Sequence, residues 1–415
     1  MKIFADDKNL LHIFFLILPI SFLIGQTAVT INIVSLSIFG VYFFLKNKFI
    51  FKNSTILKGL FIFYIYLLFN TIFSIDFENS IIRNLGFIRF IFLFIALNYL
   101  FFESKKINQS LIFWLIIFLI VMCDVFIEFI FGQNIFGWGN VNEKHGTRIV
   151  SFFKDEPIVG SFLLGFFFII LSNLLEIKKK NTLKFFFIIS FFFVMLITGE
   201  RSNTIKLILG LMFFLLIIEH INLKKKIIII SFISLVVLIV MLSSEYIRNR
   251  YVGQLYNQIN SYEKIISLKK TNDYFRIYTS GYEVFKKYKY FGAGNKNYRT
   301  ETCNTGSKNL SKKYFCTTHP HQIYFELLAE HGLIGTVFIL IFFSLFLIKI
   351  FKLILKNESN LIQAGSFIFI FLSFLPFLPS GSFFSNLNLS LFWINFSIMF
   401  ASNRKTNIFN NTNSV

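Results

Sequence analysis

The sequence predicts an all-α, polytopic integral membrane protein of about twelve transmembrane helices with one large loop on the outer side, and three observations carry that prediction. Hydrophobic residues make up 55% of the 415 and charged residues only 15%, with a mean hydropathy of +0.67, beyond the range of an ordinary soluble domain. Apolar residues arrive in runs of about 18 to 22, the length that crosses roughly 30 Å of hydrocarbon as helix. The runs are apolar on nearly every face, as in Leu111 to Phe131, whereas strands of a membrane barrel alternate with period two. The 62 phenylalanines accompany abundant Ile, Lys and Asn, all with AT-rich codons, and carry no functional meaning.

The predicted spans lie near residues 10 to 25, 28 to 45, 57 to 74, 83 to 102, 111 to 131, 158 to 175, 183 to 198, 203 to 218, 227 to 243, 324 to 348, 362 to 378 and 385 to 401. With the amino terminus in the cytoplasm, the cytoplasmic segments hold eighteen lysines and arginines. The short outer loops hold four: Lys144, Arg148, Lys154 and Arg201. That bias sets both termini inside. The first span lacks a small-residue cleavage pattern after it and is expected to be retained.

One segment breaks the rhythm. From Ser244 to Thr318 the chain turns polar, with 14 basic and 5 acidic residues. The expected organisation is therefore helices 1 to 9 over residues 1–243, an outer loop over 244–323, helices 10 to 12 over 324–401 and a cytoplasmic tail over 402–415. The net charge of +20 does not point to nucleic acid, because the basic loop faces away from the cytoplasm. Cys303 and Cys316 both lie in this loop, on the oxidising side, and are expected to form a disulfide that closes the approach to His319.

Chemistry-bearing residues gather at the outer boundary. Two of only 6 histidines stand in Thr318-His319-Pro320-His321-Gln322-Ile323-Tyr324. Imidazole is the side chain that serves as a general base near neutrality unaided. The same pair fits a zinc site or a rigid turn at Pro320, but no Asp or second His cluster lies nearby at metal-ligand spacing, so no metal is expected. Arg276, in Asp273-Tyr274-Phe275-Arg276-Ile277-Tyr278, reads as part of an amphipathic helix on the outer leaflet, and its planar fork suits phosphate. Arg201, in Thr198-Gly199-Glu200-Arg201-Ser202-Asn203, stands at an outer junction between spans. Arg83 and Arg89 in the fourth span and Asp124 and Glu128 in the fifth have opposite signs at similar depth, and are expected to form structural ion pairs.

These residues resemble a known family. Arg276 with its aromatic helix, Phe291-Gly292-Ala293-Gly294, and the stretch from His319 through His331-Gly332-Leu333-Ile334-Gly335 are similar to the hallmark of the bacterial O-antigen ligase and polymerase superfamily. Thr198-Gly199-Glu200-Arg201-Ser202 is similar to its first arginine motif. The specific match covers about residues 195 to 345. The resemblance implies an O-antigen ligase-like glycosyltransferase of the bacterial inner membrane that moves a glycan from undecaprenyl pyrophosphate to lipid A core or another glycan acceptor at the periplasmic face. It implies no cofactor, neither nucleotide sugar nor metal. It also implies that Arg201 and Arg276 hold the pyrophosphate, and that His321, with His319 as the alternative, activates the acceptor hydroxyl and inverts the anomeric carbon. Gln322 stands where the family has Asn, and Tyr278 where Trp is common. An O-antigen polymerase joining lipid-linked repeats is the near alternative. A lipid-linked oligosaccharide flippase is the distant one, disfavoured because the halves show no repeat and the polar residues gather on one face.

Overall fold

The computed structural model describes residues 2–47, 49–139, 148–154, 156–177, 181–217, 223–254, 256, 272–303 and 314–410, and no strand occurs among them. Lys144 and the loop cations Lys264, Lys269, Lys270, Lys308, Lys312 and Lys313 lie outside the described residues. The amino-terminal half runs α1 (Lys2–Leu16), α2 (Leu18–Ile24), α3 (Gln26–Lys46), α4 (Phe49–Asn53), α5 (Thr55–Ile72), α6 (Phe77–Gly86), α7 (Ile88–Glu103), α8 (Ile107–Phe131) and α9 (Val159–Glu176). The remainder runs α10 (Asn181–Ile197), α11 (Arg201–Ile217), α12 (Leu223–Ser243), α13 (Glu245–Arg248), α14 (Asp273–Lys287), α15 (Tyr298–Cys303), α16 (Ile323–Leu355), α17 (Leu361–Ser373) and α18 (Asn386–Ala401).

Among the described residues, seven helical segments are long and apolar enough to cross a membrane: α3, α5, α6 with α7, α8, α9, residues 226–243 of α12, and α16. Shorter apolar helices are residues 182–197 of α10, α17 and α18. The chain is a multi-pass, all-helical membrane protein.

Local chemistry interrupts two of the expected spans. The first divides into α1 and α2 at Ile17, because Pro19 has no N–H for the carbonyl four residues back. The released carbonyls of Phe15 and Leu16 accept instead from the indole Nε1 of Trp114 at 3.2 and 3.1 Å. The fourth turns at Phe87 between α6 and α7, with Asp76 capping α6 by accepting from the Asn79 N–H at 3.0 Å. The core is densely aromatic. Within it α3 meets α7 at Gly40, where a Cβ would stand 1.9 Å from the Phe92 carbonyl oxygen.

The tenth predicted span, α16, is broken at Gly332 (φ 65°, ψ −170°). A continuous helix would bond the Leu333 and Ile334 N–H groups to the Ala329 and Glu330 carbonyls. All four groups instead pair with the 289–294 segment. Leu333 and Ile334 donate to the Lys289 and Tyr290 carbonyls (2.9 and 3.1 Å), and Ala293 and Gly294 donate to the Ala329 and Glu330 carbonyls (2.8 and 3.0 Å). The four groups named thus exchange their intrahelical bonds for bonds across the crossing. Helix α14 is amphipathic as expected, but its inward face of Ile277, Ser280, Gly281 and Val284 is covered by protein, with Pro320 and Phe325 against Gly281.

Candidate active site

Asp124 and Glu128 do not pair with arginine. Among the described residues no ion pair joins either carboxylate to Arg83 or Arg89, which corrects the expected structural pairs. Asp124 accepts from the Ser151 hydroxyl (2.5 Å) and the Ile135 N–H (3.0 Å). Glu128 accepts from the Val150 and Ser151 N–H groups (3.0 and 2.6 Å). Backbone amides are the stronger competitors here, because they need no buried cation to be desolvated. Arg83 donates to Asn79 (3.1 Å), and Arg89 donates to the Gly86 carbonyl (3.1 Å) and to Asn386 (3.4 Å). The two carboxylates therefore clamp residues 150 and 151, just after Arg148, Glu128 through both backbone N–H groups and Asp124 through the Ser151 hydroxyl.

The clamp sets Arg148 beside the junction of α10 and α11. Gly199 has φ +72°, and a Cβ there would stand 2.6 Å from the Tyr246 hydroxyl, 3.6 Å from Arg250 Nε and 3.7 Å from Arg148 Cγ. Arg250 donates from Nε to the Gly199 carbonyl (3.1 Å) and from Nη1 to Gln254 (2.9 Å). Its segment is anchored by the Tyr251 hydroxyl, which meets the Thr204 hydroxyl at 2.8 Å and donates to the Leu196 carbonyl at 3.1 Å. Arg201 follows Gly199 by two residues. Burial, then the charges of Arg148 and Arg201, push the Arg250 guanidinium below its ordinary range.

The one carboxylate in this cluster, Glu200, is held mainly by neutral donors. It accepts from the Gly160 N–H (2.6 Å) and from Asn203 (2.6 Å), and burial pushes it up to about 7. None of Arg148, Arg201 and Arg250 is ion-paired among the described residues. Like charges gathered in this way repel one another. The cluster is thus a standing attraction for an anion.

Arg148 is the last and smallest of the influences on the His321 imidazole, after burial, His319, Glu326 and the Ser380 backbone. His321 takes φ 52°, and its ring centroid lies 4.0 Å from that of His319. The Ser380 N–H donates to the His321 carbonyl at 2.9 Å. His319 is buried, and both of its ring nitrogens are occupied. Nε2 faces the Ser380 carbonyl (3.3 Å), so it must donate, and Nδ1 then accepts from the Thr318 hydroxyl (2.9 Å). The His321 ring has the Ser380 carbonyl as a further neighbour and keeps one lone pair in either tautomer. Burial, with its neighbours' positive charge, pushes both imidazoles down to about 4. Both are neutral at pH 7.

A second polar chain flanks the pair. Lys296 donates to Ser382, whose hydroxyl donates to Glu326 at 2.6 Å, and Glu326 also accepts from the Phe383 N–H at 2.9 Å. Aromatic walls come from Tyr274, 6.2 Å from the His321 ring, and from Tyr278, stacked on Phe325 at 5.5 Å.

Arg276 makes contacts of its own. It is exposed, lies over the Phe315 ring (4.2 Å) and faces Asp273 at 3.4 Å. Phe315 is next to Cys316, which is bonded to Cys303. The Phe315 N–H donates to Ser280 at 3.2 Å, so the disulfide and α14 together hold the segment that leads into His319. Among the described residues no group of three His, Cys, Asp or Glu side chains stands where it could hold a metal.

Residues 185–340 match the family model described as O-antigen ligase. No curated protein matches the chain. The matched segment contains Arg201, Arg250, Arg276, both histidines of the pair, both bonded cysteines and the Gly332 break. Arg148 and its clamp lie before it. Arg148 and Arg250 were visible in the sequence only as outer-side cations, since nothing in their local spacing brings residue 148 to residue 250. Glu200 stood within a quoted motif, but its role as an uncharged-donor acceptor depends on Gly160, forty positions away.

Proposed function

We propose that the protein is an O-antigen ligase-like glycosyltransferase that moves a glycan from undecaprenyl pyrophosphate to lipid A core or a related glycan acceptor. In this reading the twelve apolar runs are twelve crossings of the bacterial inner membrane with both termini cytoplasmic, and residues 244–323 form a periplasmic loop carrying part of the site. The observation that supports it most is the unpaired arginine cluster beside a neutral histidine with a lone pair to spare. A diphosphate is a good leaving group whose negative charge grows as the bond from the sugar C1 to oxygen breaks, and guanidinium groups held in place stabilise that charge. His321 takes the proton of the acceptor hydroxyl as it attacks C1 directly, so that no glycosyl-enzyme forms and the anomeric centre inverts. No metal is needed to neutralise the departing phosphates.

The test is glycan transfer by the purified chain in nanodiscs with an undecaprenyl-pyrophosphate-linked glycan and a core acceptor, read on carbohydrate gels. Modified core is the expected product, and its loss in His321→Ala and Arg201→Ala proteins of unchanged melting temperature is expected to follow. Elongation of the lipid-linked glycan with bare core would indicate the polymerase instead. Wild-type transfer by the two variants would end the proposed mechanism.

A further inference from the structure

We propose that Arg89 holds the phosphate of an outer-leaflet lipid where α3, α7 and α18 meet, at a site that shares no residue with the histidine pair or with the arginines around Gly199. The inference uses the membrane orientation proposed above and is independent of the glycosyltransferase reading.

Arg89 is a cation that the surrounding protein leaves unbalanced. The three helices that meet at it contain one acidic residue, Glu103 at the far end of α7, and that carboxylate pairs with Lys8 at 2.6 Å. Among the described residues Arg89 forms no ion pair. It bonds only neutral oxygens, with Nη1 donating to the Gly86 carbonyl (3.1 Å) and Nη2 to Asn386 Oδ1 (3.4 Å), while Nε is buried without a partner. A guanidinium has five N–H donors. Most of them therefore await an acceptor, in a segment long and apolar enough to cross a membrane, where an unmatched charge is costly.

The fork is held in place without a ligand. Asn386 donates from Nδ2 to the Gln26 carbonyl (3.0 Å) and the Thr30 hydroxyl (2.9 Å), which leaves its Oδ1 facing Arg89. The Arg89 carbonyl accepts from the Ser37 hydroxyl at 2.6 Å, and the Phe90 ring stacks on the guanidinium at 4.7 Å. A Cβ on Gly86 would stand 3.0 Å from Nη1, so glycine lets the guanidinium lie along the backbone. A planar fork fixed in this way suits a phosphate.

The adjoining surface says that the phosphate belongs to a lipid. Ile31, Val34 and Ile38, three and four residues apart, form an exposed apolar stripe of α3 that starts beside Thr30. Helix α6 likewise exposes Ile82 and Leu85 while it buries Ser80 and Asn84. An acyl chain covers such a stripe, whereas a free phosphate ion gains nothing from it.

The test uses the full chain in maltoside detergent, with phosphatidic acid carrying a photoactivatable acyl chain as the probe and the matching diacylglycerol as its phosphate-free control. Labelled peptides are mapped by mass spectrometry. Phosphatidic acid is expected to label residues 26–46 at least about tenfold more than diacylglycerol, and Arg89→Gln is expected to abolish that excess. Arg404→Gln, which removes an exposed cation beyond α18, is expected to leave it unchanged. Equal labelling by the two probes, or an excess that survives Arg89→Gln, overturns the site.

A measurement on the unaltered chain guards against misfolding of the variant. Phosphatidic acid is expected to slow modification of Arg89 by phenylglyoxal at least about tenfold relative to diacylglycerol. Unslowed modification overturns the site, and equal protection by inorganic phosphate overturns the assignment to a lipid.

Discussion

The backbones of Gly292 and Gly332 pass so closely that neither position has room for a side chain. A Cβ on Gly292 would lie 2.3 Å from the Glu330 carbonyl carbon, and one on Gly332 would lie 2.4 Å from the Tyr290 carbonyl carbon. Both glycines also take positive φ, 77° and 65°. The crossing exchanges four backbone hydrogen bonds between α16 and the 289–294 segment, and thereby fixes Lys296 and the start of α15 beside the histidine pair. Gly332→Ala is expected to lower stability by at least about 2 kcal/mol and to abolish function. Gly25→Ala, at φ +136° with nothing within 4 Å, carries the strain without the clash. Thermal melting of the two variants side by side checks this, and equal shifts would refute it.

Removing the clamp on residues 150 and 151 is expected to act at Arg148. Glu128→Ala leaves two buried N–H groups without an acceptor and is expected to cost about 2 kcal/mol or more. Glu128→Gln keeps one good acceptor oxygen and is expected to be milder. The distinguishing measurement is pyrophosphate affinity in the Gln variant at a temperature where it remains folded. Affinity is expected to fall with the displacement of Arg148, and an unchanged value would separate the clamp from the site.

Of the two histidines, His321 is expected to be the base. His319 has no lone pair left once Thr318 and Ser380 are bonded. His321→Ala is expected to slow transfer by about 10²- to 10⁴-fold, the usual contribution of a general base. His319→Gln, which retains a donor for Ser380, is expected to lose far less. Single-turnover kinetics of both proteins decide the assignment, and the opposite ranking would exchange the roles.

The depressed imidazole pKa values give a pH dependence of definite sign. With a folded value of about 4 and an unfolded value near 6.5, the unfolded chain binds more protons between those limits. Stability is therefore full above pH 6.5 and is lost as pH falls toward 4. Transfer, which needs neutral His321, is expected to fall only near the bottom of that window. Melting curves of the parent and of a His319→Gln/His321→Gln protein from pH 4 to 7 check this, since the double variant is expected to show a shallower slope.

The Cys303 to Cys316 bond braces the approach to the histidines. Without reductant, only Cys123 is expected to react with a maleimide, and reduction is expected to expose two more thiols. Breaking the bond is expected to cost about 2–4 kcal/mol through the freed loop. Three reactive thiols before reduction would contradict the pairing.

Hydrophobic run length was enough, by itself, to establish the all-helical membrane architecture, because each helix satisfies its own backbone hydrogen bonds locally. The histidine pair, Arg201 and the broken glycine stretch were legible for a similar reason, being contiguous motifs. The company those residues keep was not legible. Asp124 and Glu128 looked like partners for Arg83 and Arg89 by depth and sign, yet they hold backbone amides and the Ser151 hydroxyl. Charge acts through space, and only the packing of α8, α10 and the 245–254 segment decides which charges meet. That packing brought Arg148 and Arg250 to Gly199 from opposite sides of a hundred residues of chain.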